Sequence, residues 1–147
     1  MFKSLKRTIM KMFREFLVYH HSSLEFRAKL LTLMVSSNGE MCECEKQKLK
    51  EIADTIYHDD PERAALLVDM VKEFHNKIVT DNGLNFEHLI QQVAREVKEV
   101  KRFCNKIDID LLMQLHTCMD DEDEEEKLFQ MRIIEFLQAL KSECKVA

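Results

Sequence analysis

Apolar residues recur along most of the chain at intervals of three and four, the spacing that lines one face of an α-helix. Seven stretches carry the pattern. The first covers about 2–20, with Phe2, Leu5, Ile9, Met12, Phe13, Phe16 and Leu17 on one broad face. The second covers about 23–36 on Leu24, Ala28, Leu31 and Val35, flanked by Leu30 and Met34, and stops at Gly39. The third covers about 43–57 on Leu49, Ile52, Ala53 and Ile56. The fourth, about 61–79, uses Ala65, Leu66, Val68, Met70, Val71, Phe74 and Ile78 before Asp81-Asn82-Gly83 interrupts it. Its start is marked by Asp60 as N-cap and Pro61 at the first helical position, where a missing N–H costs nothing.

Three more stretches follow. The fifth, about 85–104, places Phe86, Leu89, Ile90, Val93, Val97, Val100 and Phe103 (or Cys104) together. The sixth, about 108–119, holds Leu111, Leu112, Leu115 and Met119, and the seventh, about 124–142, holds Phe129, Ile133, Phe136, Leu137 and Leu140. The connections are short, as in a helical bundle. The pattern predicts an all-α fold: one compact bundle of about seven helices over 1–147, with 1–20 as an amphipathic basic N-terminal helix and 21–145 as the bundle proper.

Two segments echo each other. Helix, acidic loop and helix occupy 24–57, and the same order returns over 108–142. Glu45 precedes Ile52, Ala53 and Ile56 at the offsets at which Glu126 precedes Ile133, Ile134 and Leu137. Two such units predict that both acidic loops lie at one end of the bundle.

Composition narrows the reading. With 2 Gly and 1 Pro the chain has too few turn formers for a many-stranded β fold. The formal net charge of −5 argues against nucleic acid as a partner. The charge is polarised: Lys3, Lys6, Arg7, Lys11 and Arg14 crowd the first stretch, while Asp120 to Glu126 is a run of acids with no cation. No apolar run approaches the roughly 18 residues of a membrane span. Five cysteines, an odd number, without an apolar leader, predict free thiols and a cytoplasmic protein.

The run Ser36-Ser37-Asn38-Gly39-Glu40-Met41-Cys42-Glu43-Cys44-Glu45-Lys46-Gln47 resembles the TerB family of tellurite-resistance proteins. That family has an Asp-Gly loop, an apolar residue two positions after the Gly, and a Glu seven after the Asp, and the pattern recurs near the C-terminus. Here Asp120 to Glu126 followed by Lys127 stands where the second copy belongs, so the resemblance covers most of the chain. Asn38 stands at the usual Asp and Asp121 at the usual Gly of the second copy. The resemblance implies a compact helical bundle, a divalent cation at the acidic loops, and a binding or scaffolding role without catalysis. Related domains occur in membrane-stress systems and in membrane-anchored J-domain co-chaperones, which implies protein partners in a stress or membrane-associated complex.

Hard cations such as Ca²⁺ and Mg²⁺ prefer clustered carboxylate and carbonyl oxygens. Asn38, Glu40, Glu45, Asp120, Asp121, Asp123 and Glu126 supply them if the loops meet. The competing explanation is that acids collect at helix N-termini because the macrodipole favours them. Two other chemistries are open. His58-Asp59, with His20, His21, His75, His88 and His116, would suit a metal phosphohydrolase of the His-Asp kind if they converged. Cys42-x-Cys44, His116 and Cys118 are soft-metal donors, although free cysteines at 104, 118 and 144 also serve as small core hydrophobes. A third role, a purely protein-binding helical adaptor, needs no ion.

The first stretch carries its own expectation. Burying its apolar face gains about 1.5–3 kcal/mol per large side chain, against roughly 1 kcal/mol per cation near an anionic membrane. It is therefore expected to dock on the bundle and to touch an anionic inner membrane only peripherally, through residues 2–17. Vesicle sedimentation checks this: binding to anionic liposomes at low salt should weaken when Lys3, Lys6, Arg7, Lys11 and Arg14 become Gln. No binding, or binding indifferent to those changes, removes the membrane contact.

Overall fold

A computed structural model describes residues 23–36, 40–80, 83–119 and 124–146. The predicted first helix, together with Asn38, Gly39 and Asp120 to Asp123, lies outside the described residues. Among the described residues the fold is all helix: α1 (Ser23–Val35), α2 (Glu43–Ile56), α3 (Pro61–Val79), α4 (Phe86–Glu99), a 3₁₀ segment (Lys101–Lys106), α5 (Ile109–His116) and α6 (Glu124–Val146). None of the described helices is long and apolar enough to cross a membrane.

The centre is α1. Eleven of its thirteen residues are buried, including Glu25, Lys29 and Thr32. It touches α3, α4, the 3₁₀ segment, α5 and α6, while α2 packs outside it on α3 and α5. The sequence pattern predicts one apolar face here; the structure shows a helix covered on all sides, with Leu33 as deep as Leu31. Thr32 tolerates this because its hydroxyl donates to the Ala28 carbonyl at 2.7 Å. Lys29 reaches Glu96 of α4 with Nζ–O distances of 2.8 and 3.0 Å, and Glu25 lies 3.8 Å away. All three side chains are at least 85% out of solvent.

The helix starts are chemically explicit. Asp60 accepts from the Arg63 N–H ahead of Pro61, as the sequence predicts. Asn85 accepts from Glu87 and His88, and Asp108 from Leu111. Gly83 takes φ of +91°, a region a side chain would strain, where the chain turns from α3 to α4.

Three expectations need correction. The predicted helix over 85–104 breaks at Val100, whose extended backbone (φ −123°, ψ 94°) ends α4. The break turns Phe103 fully inward, stacked on Phe26 of α1 with ring centroids 4.5 Å apart. On α3 the buried face is set by Ala64 and Leu67 with Leu66, so Ala65 faces water. On α6 Phe129 is 41% exposed. Of the repeat's apolar positions, Ile52, Ala53, Ile133, Ile134 and Leu137 are core residues, and Ile56 packs half-buried against that core.

The Lys29–Glu96 pair makes a stability prediction. Lys29→Met leaves two carboxylates facing each other in a largely dry site and should cost about 3–5 kcal/mol. Adding Glu96→Leu should restore part of that loss, because it removes the carboxylate that faces Glu25 and the desolvation penalty of Glu96. Denaturation midpoints of the two variants in urea check both statements.

Candidate functional site

The two acidic segments are flanked by described residues that converge at one end of the bundle. Cys44, in the first turn of α2, is joined to Cys118, just past α5, with their Cα atoms 5.6 Å apart. On α6 the buried Gln130 donates its amide to the Met34 carbonyl near the end of α1 at 2.9 Å. Its Oε1 lies 3.0 Å from His116 Nδ1 at the end of α5. The chain thus enters one loop from α1 and leaves it into α2, and enters the other from α5 and leaves it into α6. All four flanks are tied together by one covalent bond and one amide.

The start of α2 is a capping box with cysteine in the position usually held by Ser or Thr. The Glu45 N–H donates to Cys42 Sγ at 3.4 Å, and the Cys42 N–H donates to Glu45 Oε1 at 3.3 Å. Each side chain satisfies a backbone donor that the helix leaves open. The carboxylate suits this place because the N-terminal end of a helix dipole is positive. Glu45 is completely buried.

The predicted cation ligands fall into three groups. Asn38, Asp120, Asp121 and Asp123 lie outside the described residues. Glu40 is exposed beside the start of α2, and Glu126 is half-buried in the first turn of α6. Glu45 is buried with one oxygen engaged by its own cap, so its demonstrated contact is with the backbone. No group of three or more His, Cys, Asp or Glu side chains is gathered for a metal among the described residues.

The other two chemistries are not assembled there. His58 and Asp59 meet each other at 3.0 Å in an exposed turn. His75 is buried on α3 against Ser36 Oγ at 2.9 Å, and His116 faces Gln130. Cys44 and Cys118 share a bond, which removes both as thiolate ligands. The expectation of five free thiols is corrected further by a second bond, Cys104–Cys144, leaving Cys42 free and exposed. The partners are 74 and 40 residues apart in sequence, so only the tertiary fold brings them within bonding range. The free-thiol premise behind the cytoplasmic expectation therefore fails for four of the five cysteines.

Thiol titration of the denatured, unreduced protein should count one free thiol. Full reduction should lower stability by about 2–4 kcal/mol for the long loop closed by Cys44–Cys118 alone. Five titratable thiols without reductant would contradict both bonds.

Compared with known proteins, the chain matches no family model, no curated protein and no solved structure.

Proposed function

We propose that the chain is a TerB-like, non-enzymatic binding module whose acidic end holds a divalent cation, Ca²⁺ or Mg²⁺, and which works through protein partners in a tellurite, metal or envelope stress response. The observation that supports this reading is the Cys44–Cys118 bond, with Cα atoms 5.6 Å apart, at the shared border of the two acidic segments. Seven consecutive acids over Asp120 to Glu126 repel one another strongly in the absence of a counter-charge. A bound cation relieves that repulsion, and Glu40 and Asn38 of the other segment can add oxygens from across the junction. In this reading Asp120, Asp121, Asp123 and Glu126 provide most of the ligand charge. Glu45 acts as a positioning residue that fixes where the first segment joins α2.

A second reading has its own support. Leu128 is 58% exposed and Phe129 41% exposed on successive positions of α6, with the Phe129 ring 5.4 Å from that of Phe86 on α4. Such a patch beside the acidic end suits a protein-binding adaptor that needs no ion.

Calorimetry separates the two. Titration of the oxidised protein with Ca²⁺ or Mg²⁺ should show saturable binding that is lost when Asp120, Asp121 and Asp123 become Asn. Binding that survives those changes moves the site elsewhere, and no heat with either ion leaves the adaptor reading.

A further inference from the structure

The Cys104–Cys144 bond borders a feature unrelated to the acidic end. A cavity of about 460 Å³ opens between the last turn of α4, the 3₁₀ segment and the end of α6. That volume lies within the range of roughly 300–1,000 Å³ typical of small-molecule sites. Both bonded cysteines line it, and the buried side chains of Val97 and Leu140 supply its apolar wall. Lys98 and Lys101, both exposed, stand at its mouth, against Glu143 as the one anion in the described part of the lining. In a chain of formal net charge −5 this is a locally cationic entrance. A disulfide in the wall of a small-molecule-sized cavity is open to attack by any thiol that fits, and access is one of the determinants of exchange rate.

We propose that this cavity is a site of thiol–disulfide exchange, in which a small anionic thiol of glutathione's size and charge enters past Lys98 and Lys101 and opens the Cys104–Cys144 bond. The incoming thiol loses its proton to solvent, and its sulfur attacks Cys144 Sγ. A new S–S bond forms to Cys144, the bond to Cys104 breaks, and its electron pair leaves on Cys104 Sγ, which then takes a proton from water. A second small thiolate attacks the outer sulfur of that mixed disulfide. It releases the oxidised dimer of the small thiol and frees Cys144, so two electrons pass from two small thiols to the protein's disulfide.

The direction of attack follows from the charges. In a 3₁₀ segment side chains at i and i+3 eclipse, which puts Lys101 on the same face as Cys104 and favours negative charge on the departing sulfur. Glu143 directly precedes Cys144 and disfavours a thiolate there. The consequence is mechanical: exchange unfastens the segment Lys101–Lys106 from the end of α6.

The test uses the full oxidised chain, treated separately with reduced glutathione and with the neutral thiol 2-mercaptoethanol, quenched and mapped by peptide mass spectrometry. Glutathione is expected to appear on Cys144 before any adduct forms at Cys44 or Cys118. Lys98→Gln together with Lys101→Gln should slow the glutathione reaction about three- to tenfold at low salt and the 2-mercaptoethanol reaction distinctly less, because the latter loses only the Lys101 charge beside the departing sulfur. Glu143→Gln should move the glutathione rate the other way. All three positions are exposed, and unchanged thermal melts will confirm that the variants fold. A first adduct at Cys44 or Cys118, a glutathione rate indifferent to the lysines, or equal slowing with both thiols would overturn the proposal.

Discussion

A short helix that hides eleven of thirteen side chains needs a neighbour on every side, and α1 has them in α3, α4, the 3₁₀ segment, α5 and α6. Elements far apart in sequence are thereby obliged to meet around one axis. The obligation is sharpest at Lys29. Its ammonium cannot remain in a nearly dry site without an anion, and Glu96 supplies both carboxylate oxygens from α4. That requirement fixes how α4 is rotated against α1. The same rotation sends Val93 and Val97 into the core and leaves Lys98 at the surface.

What could be read beforehand was local. Asp60-Pro61 announced the start of α3 because capping chemistry involves residues three apart, and the period of Ile52, Ala53 and Leu137 announced which sides of α2 and α6 face inward. What could not be read was whatever depended on a partner elsewhere in the chain. Burial all round α1 looks, in sequence, like an apolar face with noise, because Lys29 reads as a solvent residue until Glu96 is placed beside it. The break at Val100 is similar. A continuous helix and a break have the same apolar spacing, and the decision comes from the place Phe26 offers to Phe103.

The candidate site divides in the same way. The acids over Asp120 to Glu126 and around Glu40 are visible as composition, and the repeat of apolar offsets behind Glu45 and Glu126 hints that the two segments are equivalent. The structure distinguishes them. Glu45 closes a capping box and is wholly buried, while Glu126 stays half-exposed. Cysteine at position 42 concealed that box, since the usual signature has Ser or Thr there. Gln130, which joins α1, α5 and α6, carried no sequence signal at all: it is one polar residue on a mixed helix, and only the facing Met34 carbonyl and His116 ring give it meaning.

Gln130 ties one end of α6 to α1 and α5 and the Cys104–Cys144 bond ties the other to the 3₁₀ segment, and distance keeps the chemistries of the two ends separate. About 21 Å of helix axis lies between Gln130, beside the acidic end, and Cys144, at 1.5 Å per residue. Screening at physiological ionic strength acts over about 8 Å, so Lys98 and Lys101 cannot neutralise Glu124, Glu125 and Glu126 in the first turn of α6, and those acids cannot repel an anion from the cavity. The molecule therefore presents a strongly negative end and a locally positive cavity without either cancelling the other. Any communication between them has to be mechanical. It would run along α6, which reaches both, or along α4, whose Phe86 packs on Phe129 and whose Val97 lines the cavity, and on α6 would be limited by how firmly Ile133, Ile134, Leu137 and Leu140 hold that helix to the core.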